Sequence, residues 1–191
     1  MRTFFWLLII LFGLNANKLS AQSFGVDVSY TTNIPNAEKQ LIFYSPKKML
    51  DIDDFKGAPV DGSDVVAITT SGFAFKAGYR NEGGKATLVI AVYCTFDQQL
   101  SWMKANGKNP YVLSHEQHHF DISYIAAKSF VAALKAAEFT KENYKSIIEN
   151  NYATAIANLE KMQEQYDSET QNGQLKDIQA NWSKRLQQQV K

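Results

Sequence analysis

Residues 114–121, Ser-His-Glu-Gln-His-His-Phe-Asp, contain all three histidines of the chain. His115, Glu116 and His119 spell the motif His-Glu-x-x-His. On a helix, residues four apart lie about one turn apart on the same face, so two imidazoles can bind one metal ion. Glu116 is the neighbouring carboxylate, placed to take a proton from a water molecule. The motif predicts a hydrolytic zinc site in which His115 and His119 bind the metal and Glu116 is the catalytic base.

The alternative is a polar helix face on which histidines happen to cluster. A helical projection argues against it, because the two histidines continue an apolar stripe along the same helix. The stripe consists of His115, His119, Ile122, Ala126, Phe130, Ala133 and Ala137. A polar pair buried on such a stripe is costly unless it has a partner. We therefore expect the two histidines to face the core and to bind metal.

A catalytic zinc site usually has three protein ligands and one open position. No histidine lies outside the motif, and the single cysteine, Cys94, lies in a predicted strand where a packed thiol is expected. The third ligand is therefore expected to be a carboxylate. Asp121 points away from His115 on a helix, and His118 is expected to be an exposed neighbour.

A second helix that folds back near Thr140 brings three acidic residues close to the height of the histidines. They are Glu160, Glu164 and Asp167. Glu160 and Glu164 lie far from the apolar stripe of that helix, so we expect them to face solvent. Asp167 lies near the edge of the stripe and is the predicted third zinc ligand, the alternative being a solvated aspartate at a helix end.

Hydrophobic periodicity divides the chain into a strand-rich part and a helical part. Alternating or β-branched apolar runs predict strands at 24–30, 41–44, 65–79 and 85–96, with a glycine hairpin at 81–84. Residues 98–104 are predicted to be a short helix or turn. Helical periodicity predicts helices at 111–138, 141–166 and 175–188. The expected fold class is α+β, a zincin-like small antiparallel sheet followed by a layer of about three helices.

The start of the chain has the features of a secretory signal peptide. Arg2 precedes an apolar run at 4–14, and Ser20-Ala21 offers small residues for cleavage. The run is too short to span a bilayer. We expect residues 1–21 to be removed, and residues 22–191 to form a single zinc metallopeptidase-like domain in the periplasm or outside the cell.

Charge does not favour a polyanionic partner. Of the 20 basic and 19 acidic side chains, Arg2 and Lys18 lie in the signal segment, which leaves a formal charge of −1. Nothing in this balance predicts binding to nucleic acid or to an anionic membrane.

With one cysteine the chain has no internal disulfide, so its stability depends on its core or on a metal. The expected partner is a peptide or protein substrate.

Four blocks of the sequence resemble a family of predicted secreted zinc-dependent proteases of bacteria, long catalogued as a domain of unknown function. The blocks are residues 50–59 with Asp54-Phe55-Lys56-Gly57, Ser101-Trp102, residues 115–122, and residues 165–170 with Gly173, Gln179 and Trp182. The resemblance implies an exported zinc peptidase. That family commonly has a histidine before the glycine, where this chain has Asn172. If that histidine is a metal ligand, the site here is altered; if Asp167 is the ligand, as in the similar aspartate-type zinc proteases, the site is complete.

The function predicted from these features is hydrolysis of peptide bonds by a zinc-activated water. Tyr166, beside Asp167, is a candidate hydrogen-bond donor to the carbonyl oxygen, with core packing as the alternative. Two other functions remain open. One is a cell-envelope binding protein whose zinc site is structural or degenerate. The other is an amidase that acts on cell-wall amides, because a metal site specifies a chemistry more firmly than a substrate.

Overall fold

The computed structural model describes residues 24–191, so the predicted signal peptide lies outside the described residues. The long strand β5 (Lys85–Asp97) is the centre of a four-stranded sheet. On one side it pairs with β4 (Ser71–Glu82), and on the other with β1 (Gly25–Tyr30) and β2 (Leu41–Phe43). Along β5 every second side chain is buried, including Ile90, Val92, Cys94 and Phe96. This alternation places one face of the sheet in the core.

The sheet is mixed, which corrects the expectation of an antiparallel sheet. β4 and β2 are antiparallel to β5, but β1 is parallel to it, with Gly25 opposite Thr87 and Tyr30 opposite Val92. β4 and β5 form the predicted hairpin, in which Gly83 and Gly84 have positive φ angles of 57° and 79°. Alternation of apolar residues predicts a strand but not the direction of its partner, so the parallel pair was not foreseen.

A second, two-stranded sheet joins β3 (Ala67–Ile68) to β6 (Trp102–Met103) in antiparallel pairing. The prediction of a short helix or turn at 98–104 is therefore wrong for Trp102 and Met103, which are both buried. A strand of two residues is too short for its periodicity to be read from the sequence.

The helical layer consists of α1 (Pro110–Ala136), α2 (Tyr144–Thr170) and α3 (Lys176–Gln189). The fold is thus α+β with three helices, as expected. α1 packs on the sheet through contacts with β1, β4 and β5, and α2 and α3 both contact α1. Within residues 24–191, no helix combines the length and the apolar character that crossing a bilayer requires.

Two caps fix where α1 begins and where α2 ends, near the histidine segment. The side chain of Asn109 accepts hydrogen bonds from the N–H groups of Tyr111 and Val112, and Pro110 occupies the first turn of α1. α2 ends in three left-handed residues, Gln171, Asn172 and Gly173. These caps position the second turn of α1 beside the last turn of α2.

Candidate metal centre

Three side chains from two antiparallel helices converge at this point. His115 and His119 project from α1, and Asp167 projects from the last turn of α2. The two Nε2 atoms are 3.3 Å apart, and Oδ1 of Asp167 is 3.3 Å from that of His115 and 3.1 Å from that of His119. We call these three residues the metal-ligand group, because their ligand atoms are close enough to bind one metal ion.

The spacing fits a small tetrahedral cation. Zinc–nitrogen and zinc–carboxylate bonds are about 2.0–2.2 Å long, so neighbouring ligand atoms around tetrahedral zinc are roughly 3.3–3.5 Å apart. All three observed separations lie at or slightly below that value. The set of two imidazoles and one carboxylate also matches the ligand types of catalytic zinc.

Asp167 provides a direct test of the fit. Its Oδ1 atom is buried, and no group among the described residues is aligned to donate a hydrogen bond to it. A buried carboxylate oxygen without a donor is costly and rare, so it indicates a missing positive partner. Burial alone would raise the pKa of Asp167, but His115 and His119 outweigh burial and hold the pKa well below its usual range. The site therefore keeps Asp167 ionised, as a metal ligand must be.

The opposite effect acts on His119. Burial lowers the pKa of this imidazole, but the nearby carboxylates of Asp167 and Glu116 raise it more, so its pKa lies above the ordinary value. The group is thus an electrostatically coupled set whose negative charges favour a cation between them.

Each ligand histidine has a glutamine at its other ring nitrogen. Nδ1 of His115 lies 3.1 Å from Oε1 of Gln179 on α3, and Nδ1 of His119 lies 2.5 Å from Oε1 of Gln163 on α2. Gly173 packs against the first of these contacts, since a Cβ atom there would lie 3.1 Å from Nδ1 of His115. Sequence reasoning named Gln179 only within the resemblance, assigned it no role, and did not consider Gln163, because neither glutamine belongs to a motif defined by its spacing to the histidines.

Glu116 lies beside the metal-ligand group in a cleft of about 750 Å³. The residue is mostly buried, yet its carboxylate makes no hydrogen bond to another described residue. The cleft is lined by residues 64–69, Ser71, Tyr111, Val112, His115, Glu116, His119, Gln163, Asp167 and residues 172–174. An unbonded carboxylate that faces a cleft next to three potential metal ligands is available to bind a water or a substrate group.

One wall of this cleft is β3. The N–H of Lys104 donates to the carbonyl of Val66, and Ala67 is paired with Met103. Hydrogen-bonding groups of successive residues in an antiparallel ladder point to opposite edges. The N–H and C=O groups of Ala67 therefore point away from β6, and among residues 24–191 no third strand pairs with β3 on that side. The wall thus has a free strand edge.

The structure brings Asp167 to the histidines and leaves the other acidic candidates outside. Glu160 and Glu164 are exposed, as expected. The expectation that His118 is exposed is wrong: it is buried, with Nδ1 2.9 Å from the Tyr166 hydroxyl and Nε2 2.9 Å from that of Ser183. Burial and the nearby His115 and His119 lower its pKa to about 4. The helical projection could not foresee that α2 and α3 cover this face.

Tyr166 packs in the core. It is fully buried, and its ring stacks on that of His115 with centroids 4.7 Å apart. Its hydroxyl faces Nδ1 of His118 rather than the cleft. Of the two roles considered for Tyr166, packing is the one that this geometry supports.

Asp121 lies on another side of α1, as expected, in a polar cluster of its own. Its Oδ1 accepts hydrogen bonds from the hydroxyl of Tyr44 at 2.9 Å and from Nε2 of Gln117 at 2.8 Å. Oε1 of Gln117 in turn accepts from the N–H of Leu50 at 2.7 Å. We call these residues the Asp121 network. Cys94, fully buried nearby, is a packed residue as predicted, since burial and then Asp121 raise the pKa of its thiol.

A model of a protein family described as a bacterial protein of unknown function (DUF922) matches residues 59–174, which is more than half of the 191 residues. No curated protein and no solved structure matches the chain. The matched segment includes the metal-ligand group and Glu116 and ends before Gln179. The match supports the resemblance to a bacterial family of unknown function. It does not test peptidase activity, which stays a prediction.

Proposed function

Since the chain belongs to the DUF922 family of bacterial proteins, whose function is unknown, we propose from its own site that it is a zinc-dependent metallopeptidase that hydrolyses peptide bonds. The convergence of three ligand atoms beside an unbonded glutamate is the observation that supports this proposal most. It contains each part that metal-assisted hydrolysis needs: three ligands, a base and a cleft.

His115, His119 and Asp167 are the residues that would hold zinc. When bound there, zinc would supply Lewis acidity, which lowers the pKa of a water and polarises a carbonyl. Asp167 offsets part of the metal charge, and the two imidazoles bind as neutral nitrogen ligands. The donor set contains no thiolate, which favours an open catalytic site over the cysteine-rich sites that are typically structural.

Glu116 is the proposed general base. It follows His115 directly on α1 and lines the same cleft, so its carboxylate is within the region where a water and a substrate carbonyl would meet. In the proposed reaction Glu116 takes a proton from the attacking water and passes it to the leaving amine as the C–N bond breaks. The carboxylate is free for this role because no other described side chain holds it.

The free edge of β3 is the proposed docking site for substrate. An extended peptide can add to a sheet edge through backbone hydrogen bonds, which favour no particular side chain. Ala67 and Thr69 would supply those groups on the cleft side of β3. The proposal therefore favours an unfolded or flexible peptide segment as substrate, and export of the protein stays a prediction from its first residues.

The test combines metal content with activity on unfolded casein. The purified protein should contain about one zinc per chain by mass spectrometry and should release peptides from casein. Glu116→Gln should retain zinc and lose activity by the roughly 10²–10⁴-fold that a general base contributes. Glu164→Gln, which makes the same change at an exposed position of α2, is the matched control and should behave as the wild type.

Different failures point to different conclusions. A wild type that binds no zinc after reconstitution would overturn the proposal, as would equal activity of wild type and Glu116→Gln. Zinc binding without cleavage of casein, but with cleavage of cell-wall fragments that depends on Glu116, would replace the peptidase by an amidase. Zinc binding with no Glu116-dependent hydrolysis of either would favour a binding protein.

A further inference from the structure

Gln163 and Gln179 have their side-chain amides oriented by the backbone. Nε2 of Gln163 donates to the carbonyl of His119 at 2.9 Å, and Nε2 of Gln179 donates to the carbonyl of Tyr111 at 3.4 Å. A backbone carbonyl only accepts, so the NH₂ group of each amide must be the end that faces it. The other end, Oε1, then faces a histidine ring.

We infer that Gln163 and Gln179 are positioning residues that set the tautomer of the two ligand histidines. An amide oxygen is only an acceptor, so Nδ1 of His119 and Nδ1 of His115 must carry the hydrogen in these contacts. In a neutral imidazole the other nitrogen, Nε2, is then unprotonated. Both Nε2 lone pairs therefore point at the same place as Oδ1 of Asp167 before any metal binds.

This arrangement differs from a histidine held by a carboxylate. A carboxylate at Nδ1 makes the imidazole more basic and adds a negative charge near the metal. An uncharged amide oxygen fixes the ring without that charge. Asp167 thus remains the only anionic ligand in the metal-ligand group, and more of the positive charge of a bound metal is left for the substrate carbonyl.

The inference also assigns a role to α3. Gln179 lies on α3, five residues beyond the segment that the family model matches. Three contacts hold this helix against α1 and α2 at the metal site: Gln179 with the ligand His115, Ser183 with His118, and the Trp182 ring 5.3 Å from that of Tyr166. α3 therefore contributes to the geometry of the site, although it supplies no metal ligand.

The tautomers can be measured without metal or substrate. The chain has only three histidines, so the ring nitrogens of ¹⁵N-histidine-labelled apoprotein can be assigned by NMR at about pH 9, where histidine rings are ordinarily neutral. The wild type should have the Nδ1–H tautomer at His115 and His119. Gln179→Met should lose this preference at His115 alone, and Gln163→Met at His119 alone. Gln174→Met, in an exposed residue of the cleft, is the control and should change neither ring.

Zinc affinity gives a second readout. It can also be measured on Glu variants, which keep the inference testable if the Met variants fail to fold. Loss of such an outer contact typically weakens metal binding by about 10–100-fold, and we expect this for both Met variants. Gln179→Glu and Gln163→Glu keep an acceptor oxygen, so they should retain the Nδ1–H tautomer and bind zinc at least as tightly as the wild type.

The inference rests on the metal site of the proposed function but not on peptide hydrolysis. Wild-type tautomers with hydrogen on Nε2, unchanged tautomers in folded Met variants, or Glu variants that bind zinc as weakly as the Met variants would each overturn it. A wild type with the Nδ1–H tautomers but no zinc affinity would instead count against the proposed function and leave the positioning role of the glutamines intact.

Discussion

Two polar clusters lie on different sides of α1 and differ in whether Oδ1 of their aspartate accepts hydrogen bonds. In the Asp121 network, the carboxylate accepts from Tyr44 and Gln117, and Gln117 accepts from the backbone of Leu50. In the metal-ligand group, Oδ1 of Asp167 is buried and has no donor. The two side chains are chemically identical, but Oδ1 of Asp121 has two hydrogen-bond donors and Oδ1 of Asp167 has none.

The difference separates a structural role from a binding role. Asp121 ties Tyr44, which follows β2, to α1 and the segment around Leu50, and two donors already fill its Oδ1 atom. In Asp167 it is the Oδ1 atom that is buried without a donor, and such an oxygen is costly unless something else supplies the missing positive partner. α1 therefore carries Asp121, which stabilises the fold, and faces Asp167 of α2, which is free to bind a cation.

The sharpest test of this contrast is removal of Asp167. Asp167→Ala should abolish zinc occupancy at one equivalent of zinc, because loss of a ligand must weaken binding by more than the roughly 10–100-fold typical of an outer contact. In chelator at about pH 9, where histidine rings are ordinarily neutral, the free energy of unfolding should be no lower than that of the wild type, since a buried unpaired oxygen is removed. Zinc titration and denaturant unfolding measure the two quantities.

Glu164→Ala provides the control for that variant, because Glu164 is exposed on the same helix one turn earlier. It should leave both zinc binding and unfolding unchanged. If Asp167→Ala bound zinc as tightly as the wild type, or if it destabilised the apoprotein by several kcal/mol, Asp167 would be a structural residue and the contrast with Asp121 would disappear.

Asp121→Ala should have the reverse effect. It leaves the buried donors of Tyr44 and Gln117 without an acceptor, and each such donor costs about 1–3 kcal/mol. We expect the free energy of unfolding to fall by about 2–6 kcal/mol, measured by urea denaturation, with zinc affinity within a few-fold of the wild type. Asp61→Ala, at an exposed position, should cost almost nothing. A zinc site lost together with Asp121 in a still-folded protein would mean that the two clusters act as one.

Zinc itself should stabilise only proteins with an intact metal-ligand group. At free zinc about 100 times the dissociation constant, linkage predicts a gain of about 2.7 kcal/mol in the free energy of unfolding. Asp121→Ala should gain as much as the wild type, and Asp167→Ala should gain nothing. Thermal unfolding with zinc and with chelator measures the effect, and an equal zinc response in all three proteins would indicate binding elsewhere.

The parts of the site that could be predicted were those that depend on one helix. His115 and His119 share a face because of helical spacing, whatever surrounds the helix. Asp167 required an estimate of how two helices align, and that estimate was approximate. It put Glu164 level with His115, whereas Asp167, three residues further along α2, makes the contact. The difference arises from the connection between α1 and α2, because helical periodicity does not specify the length or the path of that connection.

Features that depend on three elements meeting in space were missed. His118 looks exposed on α1 alone, but α2 and α3 bury it. Gln163 and Gln179 become relevant only because two other helices bring them to the histidines. The same limit applies to the fold. Alternation predicted β5 and most of β4, but it predicted one strand at 65–79 where the structure has β3 and β4 in different sheets, and it predicted neither the parallel pairing of β1 nor the short β6.

The smallest effect is expected from a methyl group at the boundary of the metal-ligand group. Gly173 has a φ of +80°, and a Cβ atom there would lie 3.1 Å from Nδ1 of His115 and 3.2 Å from Oε1 of Gln179. Gly173→Ala should reduce the free energy of unfolding by about 1–2 kcal/mol through its left-handed backbone. It should also weaken zinc binding, because the added methyl group displaces His115 and Gln179 from their contact.

Gly84→Ala separates the effect of the backbone from the effect of the displaced contact: its φ is +79°, but no atom lies within 4 Å of the added carbon. Both variants should lose similar stability in chelator, and only Gly173→Ala should lose zinc affinity. Equal zinc affinity in the two variants would show that the contact between His115 and Gln179 tolerates displacement, so that the metal-ligand group depends on its three ligands alone.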